Sequence, residues 1–202
     1  MIIRNATLLS FHDLSRRSGV DLRIAGGRVI EIGAGLSDPG SGRGSTAGEQ
    51  PDELIEASGL YVIPGLVNLH AHTAMTLLRG AAEDVNEERW FNDYVWIYER
   101  NLKPEDVYVG TLLGAAEMLL SGVTYVADHY FYMDRAFEAY RKAGMRADLS
   151  WVVFGNGEDW WGELEQSLEF VHEYRDKDPR INASLGPHSP YICPPFFSGP
   201  RG

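Results

Sequence analysis

From Tyr61 onward the sequence alternates short apolar runs with longer stretches carrying a helical apolar stripe. That alternation points to strand-helix units and a parallel sheet. Strands are expected at "YVIPGLVNLH", "GVTYVAD", "GMRADLSWVVF" and "INASLGP". Helices are expected near Pro104 to Leu120, Met133 to Ala143 and Gly162 to Tyr174. In the first of these, Val107, Leu112, Ala115 and Leu119 share one stripe, and Gly122 supplies a C-terminal stop. The fourth strand has no helix after it, because Gly199 and Pro200 in "FFSGPRG" interrupt the pattern.

Residues 1 to 60 follow a different grammar. Short alternating runs at "MIIRNATLL", "VDLRIAGGRVIEIG" and "ELIEASGLYVI" read as strands, with Gly26 and Gly27 forming a two-residue hairpin turn. Between them "GAGLSDPGSGRGSTAGEQPDE" reads as a surface loop. Its "GSGRGST" is not a phosphate loop, since no Lys precedes the Ser/Thr and no strand-to-helix context surrounds it. The expected organisation is a β segment over 1–60 and strand-helix units over 61–202, with no internal repeat. An open doubly wound sheet fits such units. A closed barrel of eight takes about 250 residues, and only about 140 follow residue 60.

Composition removes several classes of function. Eighteen Lys and Arg against 29 Asp and Glu leave a net charge of -11, so no nucleic acid is expected as a partner. No window is long and apolar enough for a membrane span, and the first residues lack a signal-peptide core. The single cysteine, Cys193, allows no internal disulfide and no cysteine-based zinc cluster, which suits a reducing compartment, the cytoplasm.

The chemistry concentrates in "VNLHAHTAMTLLRG". Side chains two apart on a strand point the same way, so His70 and His72 can converge on one ion if the strand runs through them. Neutral imidazole suits zinc or ferrous iron. The spacing alone is a weak signal, and ordinary hydrogen-bonded histidines would also satisfy it.

The longer string "GLYVIPGLVNLHAHTAMTLLRGAAED" resembles the first barrel strand of the amidohydrolase superfamily. More narrowly, it is similar to the subgroup of methylthioadenosine/S-adenosylhomocysteine deaminases and triazine or cytosine-type hydrolases. The resemblance extends to about Pro194. It implies an N-terminal portion of a (β/α)8 metal-dependent hydrolase barrel, about four βα units, beside a small β-sandwich segment. It also implies a divalent metal, zinc first and iron second, held by His70 and His72. "ERWFNDYVWIYERNL" resembles the segment whose glutamate contacts a nucleoside sugar, here Glu99. "KAGMRADL" resembles a stretch with a substrate-binding arginine, here Arg146, and "LGPHSPYICPP" resembles a fourth-strand motif with a substrate-reaching histidine, here His188.

Two have plainer alternatives, a solvated charge for Glu99 and a surface ion pair for Arg146, whereas Gly186, Pro187 and Pro190 make a rigid strand-end turn around His188, a usual location for site residues. Asp128 and His129 follow the second strand, where they could line the mouth, and are read as structural by default. The related deaminases often carry a second arginine in a loop where this chain has "GNGEDWWGELEQ". Trp160 and Trp161 in that loop could stack on a planar ring or cover the helix.

The implied reaction is hydrolytic deamination of an adenosine-type nucleoside, a small-molecule substrate of the methylthioadenosine or S-adenosylhomocysteine kind. A triazine chlorohydrolase-like or a cytosine- or guanine-deaminase-like hydrolase is the alternative. The family's remaining ligands and its acid/base residues belong to later strands, so no catalytic residue is expected here and the chain alone is expected to be inactive. A noncatalytic truncated remnant is the reading from another class. A homo-oligomer or a complementing C-terminal half are the expected protein partners.

Overall fold

A computed structural model describes residues 1–36, 53–155 and 160–193. The Gly/Ser/Pro-rich loop expected before Glu53 lies mostly outside these residues, as do four positions of "GNGEDWWGELEQ" and the final stretch from Pro194. The chain divides into two compact units, Met1–Pro64 and Gly65–Gly202.

The first unit is a five-stranded sheet. Its strands are β1 (Ile2–Leu9), β2 (Arg16–Ala25), β3 (Arg28–Gly33), β4 (Leu54–Glu56) and β5 (Tyr61–Val62). The order is β3-β2-β1-β4, with β5 also paired to β1. Gly26 and Gly27 both take positive φ, 56° and 72°, as a tight hairpin turn requires. Buried Asp21 accepts the amides of Asn5 and Leu36, each at 2.9 Å, and these bonds hold its carboxyl below the usual range. A small core of Ala6, Leu22 and Ala57 lies on the sheet.

The second unit is a parallel sheet in the order β6-β7-β8-β9: β6 (Leu66–Ala71), β7 (Val123–Tyr130), β8 (Arg146–Val153) and β9 (Ile181–Pro187). Helices α3 (Pro104–Leu120), α4 (Met133–Ala143) and α5 (Trp160–Tyr174) lie between the strands. Val126, Leu149, Ala147 and Ile181 from the strands share one core with Val107, Phe137, Tyr140 and Phe170 from these helices. Burying each large apolar side chain of this kind contributes about 1.5–3 kcal/mol. The helix ends follow local chemistry. Pro104 opens α3, the Lys103 amide donates to Asp106 at 2.9 Å, and Gly122 and Gly144 take left-handed φ after α3 and α4. Among the described residues, no helix is long and apolar enough to cross a membrane.

Two local features differ from the sequence expectation. "YVIPGLVNLH" is not one strand but β5 and β6, divided at Pro64 and Gly65, and His72 lies one residue beyond β6. A Cβ on Gly65 would stand 2.1 Å from the Thr124 hydroxyl oxygen, so only glycine lets β6 begin there. A helical run not expected from the sequence also follows β6: a 3₁₀ turn at Thr73–Leu78, then α1 (Glu87–Arg89), a π turn at Trp90–Val95 and α2 (Trp96–Asn101).

Candidate functional site

β6 does not keep strict step with β7. Asn68 pairs with Val126 and Ala71 with Asp128, three residues of one strand against two of the other. Val126 and Asp128 are buried toward the helices, so Asn68 and Ala71 face that way too. The extra residue therefore turns His70 and His72, on either side of Ala71, to the opposite face, which His129 shares. There the His70 and His72 rings lie edge to face with centres 5.2 Å apart, and the His129 ring is 6.0 Å from that of His72.

The tautomer of His72 follows from its partner. Its Nδ1 lies 2.6 Å from the His129 carbonyl oxygen, which can only accept, so Nδ1 carries the hydrogen and Nε2 keeps its lone pair. His129 in turn donates from Nε2 to the Gly186 carbonyl at 2.9 Å. That contact needs a glycine, since a Cβ on residue 186 would meet the Trp151 carbonyl oxygen at 2.3 Å and His129 Cδ2 at 2.9 Å. Burial, and then the neighbouring histidines, hold the His129 imidazole below its ordinary pKa.

A cavity of about 160 Å³ opens beside this row at the carboxyl ends of the strands, below the usual 300–1,000 Å³ of ligand pockets. His72, His129, His188 and Glu99 supply its polar groups, and aromatic rings such as Trp90, Phe131 and Phe154 form much of its wall. His188 follows β9, donates its amide to the Val153 carbonyl at 2.9 Å, and stacks on Phe154 with centres 4.9 Å apart. Glu99 projects from α2, where burial raises its pKa while Tyr130 and His72 work in the other direction. The Tyr130 hydroxyl is buried without a partner at hydrogen-bond geometry, although Glu99 is close enough to help burial push its pKa upward.

The structure thus brings His70, His72, Glu99 and His188 to one end of the sheet. It does not bring Arg146 there. Arg146 is the first residue of β8, exposed at the opposite end of the strand, about 20 Å from the mouth at roughly 3.3 Å per residue. Its stretch resembles a binding motif, but strand direction carries the side chain away from the site. His129, Tyr130, Trp90 and Phe91 line the cavity without having been singled out as site residues. His129 and Tyr130 had one sequence signal, a position at the end of a strand, whereas Trp90 and Phe91, in the π turn, had none. Trp160 and Trp161 stack on each other with centres 4.0 Å apart, and the cavity lining does not include them.

The donor set and its spacing suit a metal. Two imidazoles on one tetrahedral ion, each nitrogen about 2.0–2.1 Å from it, have ring centres roughly 5 Å apart. Among the described residues, no group of three or more His, Cys, Asp or Glu is placed to hold an ion.

Parallel strands with helices between them, and a histidine pair and cavity at their carboxyl ends, define part of a (β/α)8 barrel. The model of the amidohydrolase family matches residues 61–196, and the chain belongs to that family. It is 40% identical over 200 residues to 5-methylthioadenosine/S-adenosylhomocysteine deaminase of Pelotomaculum thermopropionicum, covering 98% of this chain and 44% of that protein. It is 37% identical over 201 residues to 5'-deoxyadenosine deaminase of Methanosarcina acetivorans, with the same coverage of 98% and 44%. The chain therefore spans under half the length of these relatives. Among solved structures, a zinc-bound adenosine deaminase from Xanthomonas campestris superposes with a TM-score of 0.79 at 27% identity, over 95% of this chain and 43% of that one. A zinc complex of atrazine chlorohydrolase from Arthrobacter aurescens shares the fold, with a TM-score of 0.75 at 21% identity over 92% and 46%.

Proposed function

We propose that the chain is part of a divalent-metal hydrolase that deaminates adenosine-type nucleosides, with 5'-thio- and 5'-deoxyadenosines as the substrate class. The observation that carries this reading is the His70–His72 pair beside an aromatic-walled cavity that also holds Glu99 and His188. The names of the similar deaminases support the substrate class. A reducing compartment such as the cytoplasm suits the single, buried Cys193.

Zinc is the ion that imidazole donors and the zinc-bound neighbour favour. Such an ion supplies a Lewis acid and lowers the pKa of a water it binds. His70 and His72 hold it through ring nitrogens, and the His129 carbonyl keeps His72 Nε2 available. Glu99 accepts hydrogen bonds from sugar hydroxyls, His188 reaches the ring substituents, and Phe154, Phe131 and Trp90 offer flat faces to a purine. These groups contribute orientation and exclusion of water more than proton transfer. A catalytic zinc takes at least three protein ligands. The remaining ligands and the acid/base groups are assigned to the part of the relatives' length that this chain does not span.

The direct experiment joins this chain to that part of the Pelotomaculum relative and measures ammonia release. The zinc-loaded chimera is expected to deaminate methylthioadenosine and to lose at least about 100-fold in kcat/KM on His72→Ala. A folded, zinc-loaded chimera that releases no ammonia from methylthioadenosine, S-adenosylhomocysteine or 5'-deoxyadenosine rules the proposal out. The 202 residues expressed alone are expected to give no ammonia above a metal-free blank.

A further inference from the structure

Asp128 is about 1% exposed, inside the core between sheet and helices, where its strand neighbour Val126 is apolar. An isolated carboxylate at such a place costs several kcal/mol, so its partners matter. Oδ1 accepts the Thr73 amide at 2.9 Å. Oδ2 lies 2.8 Å from the Tyr140 hydroxyl, which is itself 2.7 Å from the Thr73 hydroxyl. With a single hydrogen, Tyr140 donates to the carboxylate and accepts from Thr73.

What this buried triangle holds is the peptide that follows His72. The next residue of β7, His129, accepts the His72 ring hydrogen through its carbonyl. Two adjacent residues of one strand thus grip two adjacent residues at the exit of another, one bond fixing the backbone and the other the ring. The opposite side of the exit is closed by α3: a Cβ at Gly110 would meet the Ala74 carbonyl oxygen at 2.5 Å, and one at Gly114 would meet Thr73 Cγ2 at 2.5 Å. Once the Thr73 amide and Nδ1 are held, Nε2 has one direction left.

We propose that Asp128, acting through Thr73 and supported by Tyr140, is the positioning residue that aims His72 Nε2 into the site. It touches neither substrate nor metal. The proposal rests on reading His72 as a metal ligand, and its test separates the two.

Long-range ¹H–¹⁵N correlations of the histidine rings report the tautomer without any metal, and a zinc titration reports affinity. In the full chain His72 is expected as the Nδ1–H tautomer. Asp128→Ala is expected to mix the His72 tautomers and weaken zinc about 10–100-fold. Asp128→Asn, which keeps an oxygen for the Thr73 amide, is expected to restore the tautomer and most of the affinity, with Tyr140→Phe falling in between. A folded Asp128→Ala that keeps both the fixed tautomer and the affinity overturns the proposal. Should Asp128→Ala not fold, Tyr140→Phe decides, and unchanged tautomer and affinity there overturn it equally. Zinc that leaves the wild-type His72 signals unmoved defeats the ligand reading alone, and the tautomer comparison still decides the positioning role.

Discussion

Glu99 shows how a residue that lines a cavity can cost the fold. Burial raises its pKa above the ordinary 4.5, so folding tolerates its neutral form better than its charged form. The stability tied to that neutral form is present below about 4.5 and is lost as pH rises through the folded-state value. Glu99→Gln is therefore expected to melt above wild type at pH 7. The two curves should meet near pH 4, and a gap that persists there in thermal unfolding would contradict burial of the charge as its source. At this scale the sequence was uneven. The shared face of His70 and His72 was legible because positions two apart on an extended chain point the same way, whereas the bond between Asp128 and Thr73 was not, because the two lie 55 positions apart. Arg146 lies at the end of β8 away from the cavity, which its motif does not reveal because a motif does not say which end of a strand it occupies.

At the level of elements, α3 is fitted to the exit of β6 rather than simply laid beside it. Gly114→Ala would ordinarily gain about 1 kcal/mol in a helix interior. Here the added methyl meets Thr73 and Thr76, so a net loss of about 1–3 kcal/mol is expected in denaturant unfolding. A neutral or stabilising result would mean that the turn yields freely. Both ends of α3 and the end of α4 could be read in advance because Pro104, Gly122 and Gly144 mark them by backbone chemistry alone. The run from Glu87 to Asn101 could not. Its aromatic residues favour strands, a π turn at Trp90–Val95 spoils the 3.6-residue period, and only Val95 is buried.

Across the whole molecule, charge and apolar surface oppose each other. Among the described strands β6 pairs only with β7 and β9 only with β8, which leaves two sheet edges. Leu69 is 74% exposed and Leu120 90%, while the net charge is -11. Repulsion between copies weakens once the Debye length shrinks from about 10 Å at 0.1 M salt to about 3 Å at 1 M. Light scattering of the 202-residue chain is therefore expected to rise with salt, and a signal that falls instead would place the attraction in charge pairs. The alternating pattern foretold a parallel sheet, but the irregular pairing of β6 was invisible to it, because counting residues two by two assumes a strand that never slips. That slip between Asn68 and Ala71 acts as a phase shift within a single strand. Between Val67 and Asn68 the strand keeps step with β7; past the slip it runs half a period late, and that delay is what sets the two imidazoles on the side away from the helices.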